Sequence, residues 1–207
     1  MRLLFLSLRV AVASVLLLAA GTGVSTFGGQ PQRIISASPA ATEILASLGI
    51  FSRVVAVSDY CTWPAEVQQK ARIGGWQNTS LERLVSLRPD LVVINDAQKH
   101  FLEGKLKQLS IPYVTIDTRS LSDIYDAIGR VAAATGETAA GERVIRETRS
   151  AIEQVRMRTA GVAKPAVLCV VDRTPGTLRE MYVATKESFL ADLIEAAGGR
   201  PLVPPTD

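Results

Sequence analysis

Four short apolar runs recur along the first part of the chain, Arg33–Ala37, Arg53–Ser58, Asp90–Asn95 and Tyr113–Asp117, with helical patterns between them. The first three runs do not alternate apolar with polar residues, so they read as strands buried on both faces, and Tyr113–Asp117 is read as the fourth strand of the same sheet. Strands of this kind separated by helices build a parallel sheet covered on both sides, an α/β lobe of Rossmann-like type over residues 32–119. The helix signals are local. Ser38-Pro39 offers an N-cap serine and a proline at the first helical position, and Gly49 supplies the stop. Leu81–Leu87 reads as a helix ended by Pro89, and Phe101–Leu109 as one ended by Pro112. Asp59–Gly75 is irregular, with one helical turn around Ala65–Gln69.

In an open parallel sheet the ligand site lies beyond the carboxyl ends of the strands. The segments there are Ser36–Ser38, Ser58–Trp76, Asn95–His100 and Asp117–Arg119. They hold Tyr60, Trp63 and Trp76, much of a small aromatic supply.

The pattern then changes. Ser122–Ala134 reads as one helix, Gly136 breaks it, and Glu137–Thr159 reads as another, roughly twice the usual length. Its apolar stripe (Ala140, Val144, Thr148, Ile152, Val155) faces a row of charges, which suits a surface helix or a rigid connector within a helical region 120–160. A strand, Ala166–Asp172, and a helix, Ser188–Ala197, follow within 164–207. They restart the strand–helix pattern of the first lobe.

Residues 1–25 are set apart. Arg2 and Arg9 precede an apolar stretch from Val10 to Ala20, and small residues follow from Gly21 to Ser25, the order of a secretory signal. That stretch is short for a membrane span, which needs ~20 apolar residues. The reading is a protein exported to the periplasm or another extracytoplasmic space, with no cysteine near the signal to carry a lipid. Without Arg2 and Arg9 the basic count falls from 23 to 21 against 20 acidic residues, a net charge near +1. No basic run or aromatic-interleaved patch remains, so the reading is of a chain without a nucleic-acid partner. Cys61 falls in a polar loop and Cys169 in an apolar run that predicts a buried strand; both are read as free thiols.

The chemistry of common enzymes is missing. The chain has neither a phosphate-binding glycine loop, nor a Gly-x-Ser-x-Gly elbow, nor a His-Glu-x-x-His pair. With His100 as the single histidine, a three-histidine metal site is impossible. His100 reads as a ligand contact or an exposed loop residue. A secreted α/β enzyme using Asp59, Asp96 or Asp117 stays as an alternative, although such acids also cap helices and solvate loops. The reading is no catalytic residue, no metal, no cofactor of its own, and a monomer.

Arg33-Ile-Ile-Ser-Ala-Ser-Pro-Ala-Ala-Thr-Glu-Ile-Leu-Ala-Ser-Leu-Gly49, Val54-Val-Ala-Val-Ser-Asp-Tyr-Cys61, Arg72-Ile-Gly-Gly-Trp76 and Asn78-Thr-Ser-Leu-Glu-Arg-Leu-Val-Ser-Leu-Arg-Pro-Asp-Leu-Val92 stand in this order. Together they resemble the N-terminal lobe of the helical-backbone (class III) solute-binding proteins of ABC importers. Arg173-Thr-Pro-Gly-Thr-Leu, Tyr182-Val-Ala and Ser188-Phe-Leu-Ala-Asp-Leu-Ile-Glu-Ala-Ala-Gly-Gly199 are similar to the start of that family's second lobe. The resemblance implies two α/β lobes joined by one long helix, here 137–159, the second lobe incomplete in this sequence, with the ligand in the cleft between them. The Tyr60-Cys61 loop and Gly-Gly-Trp76 resemble the cobalamin-binding branch most, which implies a corrinoid lying on Tyr60 and Trp76; Trp63, Ser38, Asn95 and His100 stand at the same sheet edge as further ligand candidates, with simple packing over that edge as the alternative for Trp63 and Trp76. Iron–siderophore and haem receptors of the same superfamily are the alternative; the tyrosine pattern of the haem branch is not evident. Glu82 matches a glutamate that docks on the membrane permease. Its local reading is a capping box, Thr79-Ser-Leu-Glu82, and the two roles are compatible.

Overall fold

The computed structural model describes residues 29–177 and 179–202, so the export signal read over 1–25 lies outside the described residues. A five-stranded sheet is built from β1 (Ile34–Ser36), β2 (Val54–Val57), β3 (Ala71–Arg72), β4 (Leu91–Asn95) and β5 (Tyr113–Ile116). The strand order is β3-β2-β1-β4-β5 and every pairing is parallel. β3, two residues at the sheet edge, is shorter than the apolar runs that mark the other strands.

Both faces are covered, as the unbroken apolar runs require. Ile34 and Ile35 are neighbours on β1 that point to opposite faces, and both are completely buried. On one face Ile34, Leu91, Val93 and Ile116 pack with Leu45 of α1 (Pro39–Ser47) and Ile128 and Val131 of α4 (Leu121–Thr135). On the other, Ile35, Val92 and Ile94 meet Leu84 of α2 (Leu81–Ser86) and Leu102 and Leu106 of α3 (Lys99–Gln108). The chain thus forms the Rossmann-like lobe that its strand pattern predicts.

Gly136, at φ 76°, ends α4 in the left-handed conformation and lets α5 (Thr138–Arg158) fold back along it. The two helices approach closely at Gly141, where a Cβ would stand 2.5 Å from that of Ala132. Arg53 fixes the junction: it donates to the Thr135 carbonyl at 3.2 Å and pairs with Glu137 at 2.7 Å. With 21 residues, α5 is about 30 Å long.

Beyond α5 the expected single strand Ala166–Asp172 is two. β6 (Ala166–Val167) pairs in parallel with β9 (Arg200–Pro201), and β7 (Val170–Asp172) pairs antiparallel with β8 (Tyr182–Val183). Cys169 falls between them and is partly exposed, not buried in a strand. The apolar run predicts burial only where elements cover both faces, and all three residues of β7 are exposed. α6 (Phe189–Ala196) anchors this segment: Asp192 accepts from the Leu121 amide at the start of α4 (2.9 Å), and Thr159 donates to the Ala196 carbonyl (3.0 Å).

Candidate ligand-binding site

The carboxyl ends of β1, β2 and β4 are stitched by side chains the strands deliver there. Ser38 is buried; its Oγ accepts from the Ala41 amide (3.3 Å) and so caps α1. Asn95 caps a short 3₁₀ turn, Asp96–Gln98, through the Ala97 amide (3.1 Å) and donates to Thr118 at 3.4 Å. Gln98, fully buried, completes that edge: its Nε2 donates to the Ala37 carbonyl (3.1 Å) and its Oε1 accepts from the Asn95 amide (3.0 Å). A glutamine with both ends satisfied locks β1 to β4 where a ligand would approach.

The aromatic side chains sit on the neighbouring loops. Tyr60 and Trp63 are 62% and 54% exposed, unusual for large rings, while Trp76 is half-buried. The two loops are joined: the Asp59 amide donates to the Gly74 carbonyl (3.0 Å), and a Cβ on Gly75 would stand 3.1 Å from Tyr60 Cε2. Asn78 and Thr79 brace this turn, Asn78 Oδ1 accepting from the Gly75 amide (2.9 Å) and Thr79 donating to the Gly75 carbonyl (2.9 Å). Gly74 has φ 98° with the Asn78 carbonyl 2.6 Å from where a Cβ would be, so glycine is required there. Tyr60 and the Gly74-Gly75-Trp76 turn therefore form one unit.

Arg72 holds the base of the same loop. Its guanidinium donates to the carbonyls of Ser58 (2.8 Å), Cys61 (2.9 Å) and Val67 (3.3 Å). Cys61, read as a loop residue, is buried, its Sγ 3.1 Å from Thr42 Oγ1 and 3.3 Å from Ser58 Oγ.

His100 is placed differently from its expectation. α3 begins at Lys99, so His100 lies on a first helical turn, exposed and edge-on to Phe101 at 4.9 Å, and not in a loop. Glu82 is exposed at the second position of α2, but it makes no capping box. Ser80, not Thr79, is the N-cap and accepts from the Arg83 amide, which leaves the Glu82 carboxylate one position short of reaching back.

Two of the three acids considered for catalysis, Asp117 and Asp96, are paired with basic side chains. Asp117 is gripped by the Arg119 side chain, whose hydrogen bonds outweigh burial and hold the carboxyl below the usual carboxylate range. Asp96 pairs with Lys99 at 3.5 Å, and Asp59 is exposed. Among the described residues no group of three His, Cys, Asp or Glu side chains could hold a metal, and no helix is long and apolar enough to cross a membrane. A groove of about 680 Å³ runs along the free edge of β5, past Lys107, Tyr113 and Arg130, but none of the three site aromatics lines it.

Sequence reasoning singled out the aromatic residues and passed over Gln98, Arg72 and Asn78, which hold the site together. Only Arg72 carried a signal, an arginine opening the Ile-Gly-Gly-Trp turn beside the aromatic loop.

A parallel α/β lobe with an aromatic carboxyl edge, leading into one long helix, defines the helical-backbone class of binding proteins. The chain belongs to the periplasmic binding protein family, whose model matches residues 34–206. It is 30% identical over 169 residues to the vitamin B12-binding protein of Pectobacterium carotovorum, covering 81% of this chain and 60% of that one. It is 25% identical over 174 residues to the uncharacterized ABC transporter substrate-binding lipoprotein YvrC of Bacillus subtilis, covering 82% of this chain and 54% of the relative. The chain thus spans between half and two thirds of the length of these relatives. Among solved structures it is similar to the periplasmic heme-binding protein RhuT from Roseiflexus sp. RS-1, with a TM-score of 0.72 and 27% identity over 84% of this chain and 65% of that one.

Proposed function

We propose that this protein is the substrate-binding component of an ABC importer that captures a corrinoid of cobalamin type and delivers it to the membrane permease. The observation that carries the reading is the pair of outward-facing rings, Tyr60 and Trp63, on a braced loop at the carboxyl edge of the sheet. A corrin is large and flat, and exposed aromatic faces bury its area at small entropic cost. Trp76 follows directly on the Gly75 that packs against Tyr60 and adds a half-buried ring to the reading, with Ser38 and Asn95 capping the segments that follow the neighbouring strands. The similarity to a vitamin B12-binding protein supports this ligand class. The protein works outside the cytoplasm, exported by its N-terminal segment, as a monomer and without catalysis.

An iron–siderophore or haem ligand is the second reading, favoured by the likeness to a heme-binding structure at 27% identity. Titrating the protein with cyanocobalamin, haemin and a ferric siderophore while following its two tryptophans separates them. Quenching by cyanocobalamin alone supports the corrinoid; quenching by haemin or the siderophore alone replaces it.

A further inference from the structure

Arg72 stands at the end of the outermost strand, in register with Val57. A residue there has open solvent within reach, and an arginine would ordinarily extend into it. Arg72 instead turns inward, half-buried, and spends its guanidinium on three backbone carbonyls. Those carbonyls belong to Ser58, Cys61 and Val67, which lie before, within and after the stretch that carries Tyr60 and Trp63. None of the ion pairs among the described residues includes Arg72. The charge is therefore held by the loop carbonyls, in hydrogen bonds roughly twice as strong as neutral ones.

The rest of the loop is built to the same end. The Cys61 amide donates to the Ser58 carbonyl (3.2 Å), its thiol is walled in by Thr42 and Ser58, and Asp59 is tied to Gly74. The base is pinned while the two rings at the tip face outward. We propose that Arg72 is a positioning residue: it presets the 59–64 loop so that Tyr60 and Trp63 already face the ligand before it arrives. The proposal rests on the ligand-binding reading above. Presetting matters because a loop ordered only on binding would subtract its ordering cost from affinity. Lysine would serve less well, since its compact ammonium lacks the planar fork whose two terminal nitrogens reach these carbonyls from separate positions.

Hydrogen exchange of the ligand-free full chain tests the first half directly. Arg72→Ala should raise amide exchange in peptides covering 59–67 by about tenfold, with that of β1 and β4 unchanged. Arg72→Lys should fall between, and it decides the matter if the alanine variant does not fold. Unchanged exchange at 59–67 in a folded variant overturns the proposal. Cyanocobalamin and haemin titrations test the second half: whichever the wild type binds should bind the folded variant about tenfold more weakly. Loosened exchange with unchanged affinity overturns the positioning role. Failure of the wild type to bind either probe counts against the ligand reading alone, because the exchange result still decides whether Arg72 orders the loop.

Discussion

The Tyr60 ring lies against the backbone of Gly75, so close that a methyl group there would stand 3.1 Å from Cε2 and 3.2 Å from the hydroxyl oxygen. One aromatic side chain and one missing side chain thus lock two separate loops into a single surface.

Gly75→Ala should therefore displace first the Asn78 amide oxygen, 2.7 Å from the new methyl, and then press the Tyr60 ring away, while the fold survives because the atoms in the way are ends of side chains. Affinity for cyanocobalamin, measured by titration, should fall about tenfold, with an unfolding free energy within about 1 kcal/mol of wild type. Gly74→Ala is the contrast. Its obstacle is the Asn78 carbonyl at 2.6 Å and its φ is 98°, so urea unfolding should show a loss of about 1–3 kcal/mol.

Glu103 accepts from the Tyr113 hydroxyl at 2.7 Å and from Lys107 at 2.9 Å, beside the free edge of the sheet. The Tyr113 bond first, then the Lys107 bond, draws the carboxyl below its ordinary value, while Glu103 in turn raises Lys107; burial first, then the Glu103 bond, raises Tyr113. A lowered carboxyl adds stability above its unfolded pKa of about 4.3 and loses it as pH falls through the folded value. The raised lysine and tyrosine add theirs below about 10 and lose it as pH climbs through their folded values. Thermal melts of Glu103→Gln should thus lie below wild type at neutral pH and converge with it toward both pH 3 and pH 11. A constant gap across that range would remove the charge-based account of this cluster.

Glu82 is exposed and makes no capping bond, which leaves its carboxylate available to a partner. Glu82→Ala should leave ligand affinity and melting temperature unchanged and weaken co-purification with the importer's permease. Undiminished co-purification would end the docking role.

The sheet was legible because parallel strands buried on both faces must be continuously apolar, and Ile34, Ile35, Val92 and Val93 are. Helix ends marked by local chemistry were legible too, as at Ser38-Pro39 and Gly136. β3 was not, because two residues of an edge strand carry no period. Cys169 failed for a physical reason: an apolar run states what a strand would prefer to bury, not whether a neighbouring element covers it. In the site, rings announce themselves by type, but Gln98 and Arg72 act through backbone carbonyls that no spacing rule identifies. Glu82 shows how far one residue matters: moving the N-cap from Thr79 to Ser80 dissolves the capping box while leaving the helix in place.

If a corrinoid rests on the rings of Tyr60, Trp63 and Trp76, removing one of them must cost affinity. Calorimetric titration of cyanocobalamin into the wild type and into Trp76→Ala tests it most directly. The prediction is saturable one-to-one binding to the wild type and an affinity at least about tenfold lower in the variant, the loss of one stacked aromatic face. Equal affinity in the two proteins, or no saturable heat with the wild type, would contradict it.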